Sequence, residues 1–349
     1  MFPALALARL LRERSRKVVW LGTRRGLEAR VVPAENIPME WLTVGGLRGK
    51  GIATLLAAPW QLVRALWQAI AIMRRHRPAV VVGLGGFVTG PGGLAAWLCR
   101  RPLLIHEQNA IAGFTNRCLA PLAREVLTAF PSAFASCRKA RLIGNPVRSD
   151  IAGLAVPAQR FAGRDGGVRL LIVGGSLGAM RLNQSVPQAL ALLQSAGAAA
   201  PHFVVRHQAG DKHLEAARSA YAQDGVTAEV TAFIADMAEA LGWADLVVCR
   251  AGALTIAELS AAGVGAVLVP YPHAVDDHQT QNAQFLVDAG AALLVSDAAL
   301  TPQLLARELC RLCARRAPLL AMAEAARRVA RPAAAQQMLD ACLAAEARA

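Results

Sequence analysis

Short, unbroken apolar runs alternate along this chain with longer stretches whose apolar positions recur at helical spacing. "KVVWLGT" (17–23), "EWLTVGG" (40–46), "AVVVGLGG" (79–86), "PLLIHEQN" (102–109), "EVLTAF" (125–130) and "ARLIGNP" (140–146) make a first series of predicted strands. "VRLLIVGGS" (168–176), "HFVVRHQAG" (202–210), "AEVTAFI" (228–234), "DLVVCRAG" (245–252), "AVLVPYP" (266–272) and "ALLVSD" (292–297) make a second. Continuous apolar runs are the pattern of parallel strands buried on both faces. Their alternation with helices predicts an α/β protein of two Rossmann-like, doubly wound domains in tandem. The pattern lapses after residue 150, in "GLAVPAQRFAGRDGG". The expected organisation is a first domain over 1–152, a linker over 153–167, a second domain over 168–320, and a helical segment over 321–349 that packs back on the first domain. Ligands are expected at the strand carboxyl edges, in a cleft between the domains.

Two helices stand apart. "MFPALALARLL" predicts a helix over 3–13 ahead of the first strand, with Pro3 in its first turn. "IATLLAAPWQLVRALWQAIAIM" (52–73) is long and apolar, but Pro59 is expected to interrupt it. Gln61, Arg64, Gln68 and Arg75 fall on one face, and Trp60, Val63, Trp67 and Ile70 on the other. That apolar face either packs in a core or, with Arg48, Lys50, Arg74 and Arg75 nearby, docks on an anionic membrane surface.

Composition narrows the classes. Hydrophobic residues are 55% of 349, enough for large cores and incompatible with a disordered chain. A formal net charge of +14 implies anionic partners. Aromatics are only 5% and are not interleaved with the basic residues, which argues against a nucleic-acid platform. The seven cysteines make no spaced framework, as in a reduced, intracellular protein. Cys310 and Cys313 form one CxxC in a helical context, without a second ligand pair for zinc.

Three glycine-rich turns follow strands: Gly83, Gly85 and Gly86; Gly174, Gly175, Ser176 and Gly178; and the stretch opening at Gly252. Glycine there permits positive φ and close approach of a ligand, and amides at a helix N-terminus suit a diphosphate. No full dinucleotide fingerprint and no Walker A motif occurs. Thr255 and Glu258, three apart, share a helix face. Glu258 either complements the helix dipole or accepts both hydroxyls of a ribose. Asp276, Asp277 and His278 assemble no oxygen-rich metal set, and Asp277 reads as a helix N-cap with Gln279 in the first turn. Asn109 and Arg148 follow strands of the first domain, and Arg148 can grip a diphosphate with two parallel bonds.

"GLRGKGI", "GLGGFVTGPGGLAAW", "HEQNAIAGFTN", "GNPVR", "GGSLGA", "CRAGALTIAEL" and "DDHQTQNA", in this order, resemble the MurG family of bacterial peptidoglycan N-acetylglucosaminyltransferases. The resemblance runs from residue 2 to about 300. It implies the GT-B fold and transfer of GlcNAc from UDP-GlcNAc to the C4 hydroxyl of the muramyl sugar of lipid I. The products would be lipid II and UDP, with inversion at the anomeric carbon and no cofactor or metal. Ser176 and its loop would hold the diphosphate. Ile234 would meet uracil through its backbone. Ala253, Leu254, Thr255, Ile256, Ala257 and Glu258 would hold sugar, phosphate and ribose. Asn109 and Gln279 would contact the donor sugar, and Arg148 would fall in the donor site. Gly83, Gly85, Gly86, Gly174 and Gly175 would line the acceptor diphosphate site. The expected location is the cytoplasmic face of the inner membrane, held peripherally, with other cell-wall synthesis proteins as further partners and no nucleic acid.

One departure bears on catalysis. The family begins with a strand and a "GGTGGH" loop ahead of the residues matching Phe2 and Pro3, and the His of that loop is the proposed general base. The expectation is a misplaced start, with about 15–20 residues upstream (one strand plus a loop). The alternatives are a non-catalytic remnant that binds UDP-sugar, or a GT-B transferase with another lipid acceptor. His106, His273 and His278 stand as substitute bases, and nothing in the sequence favours one.

Overall fold

The computed structural model describes residues 1–348 except 25, 27, 45–51, 176–178, 198 and 199; for residues 52–58 and 275 only the backbone is described. The chain divides into two compact units, residues 1–146 with 333–349, and residues 147–332. Every predicted strand forms, each shorter than its apolar run because the glycine and polar residues at its end turn out of the sheet.

In unit 1 the strands are β1 (Trp20–Gly22), β2 (Met39–Trp41), β3 (Val81–Gly83), β4 (Leu103–Glu107), β5 (Glu125–Thr128) and β6 (Ala140–Leu142). Its helices are α1 (Phe2–Glu13), α2 (Glu28–Ala34), α3 (Ile52–His76), α4 (Thr89–Leu98) and α5 (Phe114–Leu119). Unit 2 begins with α6 (Ser149–Ala152) and α7 (Pro157–Phe161). Its strands are β7 (Val168–Val173), β8 (Phe203–Gln208), β9 (Glu229–Thr231), β10 (Leu246–Cys249), β11 (Gly265–Leu268) and β12 (Ala292–Leu294). The helices among and after them are α8 (Met180–Ser195), α9 (Leu214–Gln223), α10 (Met237–Trp243), α11 (Ala253–Ala262), α12 (His278–Asp288), α13 (Pro302–Cys313) and α14 (Arg316–Arg328). Unit 1 closes with α15 (Ala334–Glu346).

Unit 2 has the sheet order β12-β11-β10-β7-β8-β9, all pairs parallel. The chain winds outward in one direction from β7 and in the other from β10. The crevice at their carboxyl ends is therefore the switch point, where ligands bind in such sheets. Leu170, Ile172, Leu246 and Val248 are fully buried, as strands covered on both faces should be.

The segment expected as a linker, 153–167, is instead held firmly on unit 2. Arg160 donates to Ala262 O at 2.7 Å and Leu241 O at 3.2 Å. Burial, then the neighbouring Arg164 and Arg327, pulls its guanidinium down to about 10. Arg164 pairs with Asp245, which is wholly buried and also takes Arg316 Nη1 at 2.7 Å and the Arg169 amide at 3.0 Å. A buried carboxylate is tolerable only when its lone pairs are filled in this way.

In unit 1 the parallel strands fall, among the described residues, into two sheets: β1-β2 and β3-β4-β5-β6. Helices α1 and α15 pack together, and Leu7, Leu104, Leu127, Ile143, Met338 and Leu339 share one core. One expectation for α3 fails, and one of its two open readings is excluded. Pro59 lies inside the helix and does not interrupt it. The buried face is Ala65, Ala69, Ile72 and Met73, not the Trp-bearing one: Trp60 is 76% exposed and Trp67 65%. Small alanines let α4 approach closely, whereas an indole would hold it off. Gln68, expected on a polar face, donates to Thr43 Oγ1 at 3.1 Å and accepts from the Thr43 amide at 2.9 Å. Among the described residues no helix is long and apolar enough to cross a membrane.

Candidate functional site

The carboxyl ends of β7 and β10 bring most of the expected donor residues of unit 2 together. After β7 the chain turns at Gly174 and Gly175. Gly175 has φ +79° and open space where a side chain would stand. The Gly174 amide donates to Gln208 O at 3.1 Å, which fixes the start of the turn. Ser176 and Gly178 lie outside the described residues.

After β10, Gly252 is the N-cap of α11, extended at φ −63°, ψ 144°, and no side chain caps the helix. The amides of Leu254 and Thr255 find no protein acceptor among the described residues, so two donors at the positive end of α11 remain available. Ala253 and Ile256 are buried beneath it, and Ala257 is half-buried. One turn further on, Glu258 is half-buried and accepts no hydrogen bond among the described residues. Burial pushes its carboxyl above the ordinary range, Arg148 draws it back, and Asp150 adds to the rise. Arg148 Nε lies 4.0 Å from Glu258 Oε1 and 4.0 Å from Asp150 Oδ1. That separation is a charge contact and not a hydrogen bond. Two residues far apart in sequence thus meet as an exposed guanidinium over a carboxylate with unfilled lone pairs.

Ile234 is half-buried in the loop between β9 and α10, beside the exposed Phe233. Gln279 does sit in the first turn of α12, but its amide oxygen is occupied. It accepts from the Ala251 amide at 3.2 Å and the Tyr271 amide at 2.9 Å, leaving its NH₂ group to donate. Asp277 takes the N-cap position in a left-handed conformation. Its carboxylate accepts from Thr280 Oγ1 at 2.7 Å in place of a backbone amide.

Arg250 escaped sequence reasoning. Its Nη1 donates to Val269 O at 3.2 Å, Pro270 O at 3.1 Å and Asp297 Oδ1 at 2.6 Å, tying together the loops that follow β10, β11 and β12. The signal that could have found it is an arginine directly after a wholly apolar strand, where a charge must have a buried partner.

Unit 1 carries its own turn. Gly85 and Gly86 have φ +80° and +83°, and nothing lies within 4 Å of where a Gly86 side chain would begin. At Gly83 a side chain would meet Thr89 Cγ2 at 2.5 Å, so glycine is required there by packing. Thr89 Oγ1 donates to Gly85 O at 2.6 Å as α4 begins. Glu107, also missed, organises the neighbouring loop. Buried at the end of β4, it accepts from the amides of Asn109 at 3.1 Å and Gly113 at 3.0 Å, and from Asn116 Nδ2 at 2.8 Å. Asn109 is thereby presented at the carboxyl edge. His106 is fully buried, with Nε2 3.0 Å from Gly144 O; burial above all lowers it to about 4. A ring held neutral and donating to a carbonyl is ill placed to take a substrate proton. His273 is exposed on its loop.

The chain matches the glycosyltransferase family 28 N-terminal domain over residues 1–128 and the family 28 C-terminal domain over 169–338. It is 56% identical over 342 residues to the UDP-N-acetylglucosamine–N-acetylmuramyl-(pentapeptide) pyrophosphoryl-undecaprenol N-acetylglucosamine transferase of Marinobacter nauticus, covering 98% of this chain and 93% of that protein. The crystal structure of Acinetobacter baumannii MurG superposes with a TM-score of 0.88 at 40% identity, covering 98% of this chain and 95% of that one. A glycosyltransferase of kitacinnamycin, at 18% identity and TM-score 0.69 over 98% of this chain and 95% of that one, shares the fold.

Proposed function

This chain belongs to glycosyltransferase family 28, with the GT-B pair of Rossmann-like domains, and from that premise we propose how its residues divide the work. It is an N-acetylglucosaminyltransferase that moves GlcNAc from UDP-GlcNAc to the C4 hydroxyl of MurNAc in lipid I, giving lipid II and UDP. In the transfer the bond from the anomeric carbon to the UDP oxygen breaks and a bond to the acceptor O4 forms on the opposite face. The O4 proton leaves to a general base, and UDP departs with the electron pair.

Unit 2 holds the donor. Glu258 accepts the two ribose hydroxyls, the Gly174–Gly175 turn and the first turn of α11 (Ala253 to Ala257) receive phosphate and sugar, and the Ile234 backbone meets uracil. Arg148 and the α11 amides stabilise charge as it builds on the leaving diphosphate. Gln279 donates from its free NH₂ to the donor sugar. Gly83, Gly85 and Gly86 receive the acceptor diphosphate. The observation that carries the donor assignment is the uncapped helix beside an unfilled, half-buried carboxylate at the switch point of the sheet. Calorimetric titration of UDP against wild type and Glu258→Ala tests it. Weaker binding is expected, and full affinity in the variant would refute the ribose contact.

The chain works as a peripheral protein on the anionic cytoplasmic face of the membrane. Trp60, Val63 and Trp67 of α3 are exposed on one side, with Arg64 and Arg74 exposed beside them. Arg48 and Lys50 lie outside the described residues, and Arg75 is engaged with Glu40 at 3.1 Å. Indoles at a lipid interface flanked by arginines suit anionic headgroups. Flotation with anionic vesicles should be lost on Trp60→Ser with Trp67→Ser and weakened by Arg74→Glu; unchanged flotation of all three substitutions together would refute the surface.

A further inference from the structure

Unit 1 has a concavity at the opposite end of its sheet from the glycine turn. It is a cavity of about 590 Å³, lined among others by Leu104, Glu125 and Ala140 at the amino ends of β4, β5 and β6, and by Asp340 and Ala344 of α15. Five basic residues border it: Arg124, Arg138, Lys139, Arg141 and Arg348. The glycine turn Gly83–Gly86 leaves the carboxyl end of β3, so the two lie at opposite ends of parallel strands.

The charges do not cancel within the cavity. Arg141 is taken by Glu125, Nε to Oε1 at 2.6 Å. Asp340 accepts from Gln336 Nε2 at 2.8 Å, which keeps its negative charge, so it offsets one of the remaining cations. Lys139 Nζ is fixed by Pro121 O and Ala123 O, each at 2.9 Å, which locates its charge without neutralising it. Arg124, Arg138 and Arg348 have no carboxylate partner among the described residues, and Glu346, next along α15, is engaged with Arg16 at 3.2 Å. Three guanidiniums without a carboxylate partner and an anchored ammonium, set against the single charge of Asp340, leave the rim with a positive surplus that an anion would offset. Guanidinium forks match phosphoryl oxygens two at a time.

We propose that this cavity binds a ligand bearing two phosphoryl groups, apart from both substrates of the transfer. The chemistry is that of a soluble oligophosphate or of a diphosphorylated lipid headgroup, bound at the amino edge of the sheet where it can act on unit 1 without occupying the glycine turn.

The test uses the full chain saturated with UDP, so that the donor site is filled, and titrates inorganic pyrophosphate by calorimetry. Wild type should bind it, and Arg124→Glu with Arg138→Glu should weaken that binding about tenfold or more while leaving UDP affinity unchanged. The neutral pair Arg124→Gln with Arg138→Gln, checked by thermal melting, separates lost charge from lost fold and should give an intermediate loss. Vesicles carrying cardiolipin, compared with phosphatidylcholine alone, distinguish the sources. A drop in cardiolipin binding in the charge-reversed protein identifies a headgroup site, and an unchanged value with lost pyrophosphate binding identifies a soluble ligand. Equal pyrophosphate affinity in wild type and in the charge-reversed protein, or none in wild type, overturns the proposal.

Discussion

Glu258 is a half-buried carboxylate with no hydrogen bond among the described residues, and burial holds its proton affinity above the ordinary range. A group raised in the folded state lends stability below its unfolded pKa and loses it as pH rises through the folded one. Glu258→Gln should therefore raise the melting temperature of the ligand-free protein at neutral pH, with the gap closing as pH falls. The same change should weaken UDP about tenfold to a hundredfold, the cost of charged hydrogen bonds to the ribose. His106 and His207 run the other way. Both are buried and lowered from 6.5 to about 4, His106 mainly by desolvation and His207 by desolvation alone. Their contribution is complete above pH 6.5 and is lost as pH falls from there toward 4, by up to about 3 kcal/mol each. Urea unfolding followed across that range should show the decline, and a flat profile would contradict both assignments. At this scale the sequence carried Glu258, because a three-residue spacing on a helix start has one geometry. It hid Glu107 and Arg250, because spacing does not say which buried charge has found partners.

Among the elements, the region expected to be a linker is fastened to unit 2 by Arg160, Arg164 and Asp245. Asp245→Ala would leave the mostly buried Arg164 unpaired and should cost about 3–5 kcal/mol in chemical denaturation. A loss under 1 kcal/mol, as for an exposed pair, would show that the clamp is not buried in solution. The strands were legible because a doubly covered parallel strand has little choice but a continuous apolar run. Which face of α3 is buried stayed open in the sequence, because a face bearing Trp60 and Trp67 suits a core and a membrane surface alike; the packed face carries Ala65 and Ala69, whose small side chains allow close helix packing. Strand β3 pairs with β4 on one side and with no described strand on the other. Its Val82 amide should exchange with solvent faster than that of Ile105 in β4, which lies between two partners.

Across the molecule, the proposed assignment gives each unit the chemistry for one substrate: nucleotide recognition in unit 2, and glycine-turn phosphate recognition with exposed indoles in unit 1. The net charge of +14 fits a protein whose substrates and proposed working surface are all anionic. The most direct measurement is transfer of radiolabelled GlcNAc from UDP-GlcNAc to lipid I by the full chain, with UDP release followed in parallel. The account predicts labelled lipid II and UDP in equal amounts, both strongly reduced by Glu258→Ala. Binding of UDP-GlcNAc without any transfer to lipid I would contradict it.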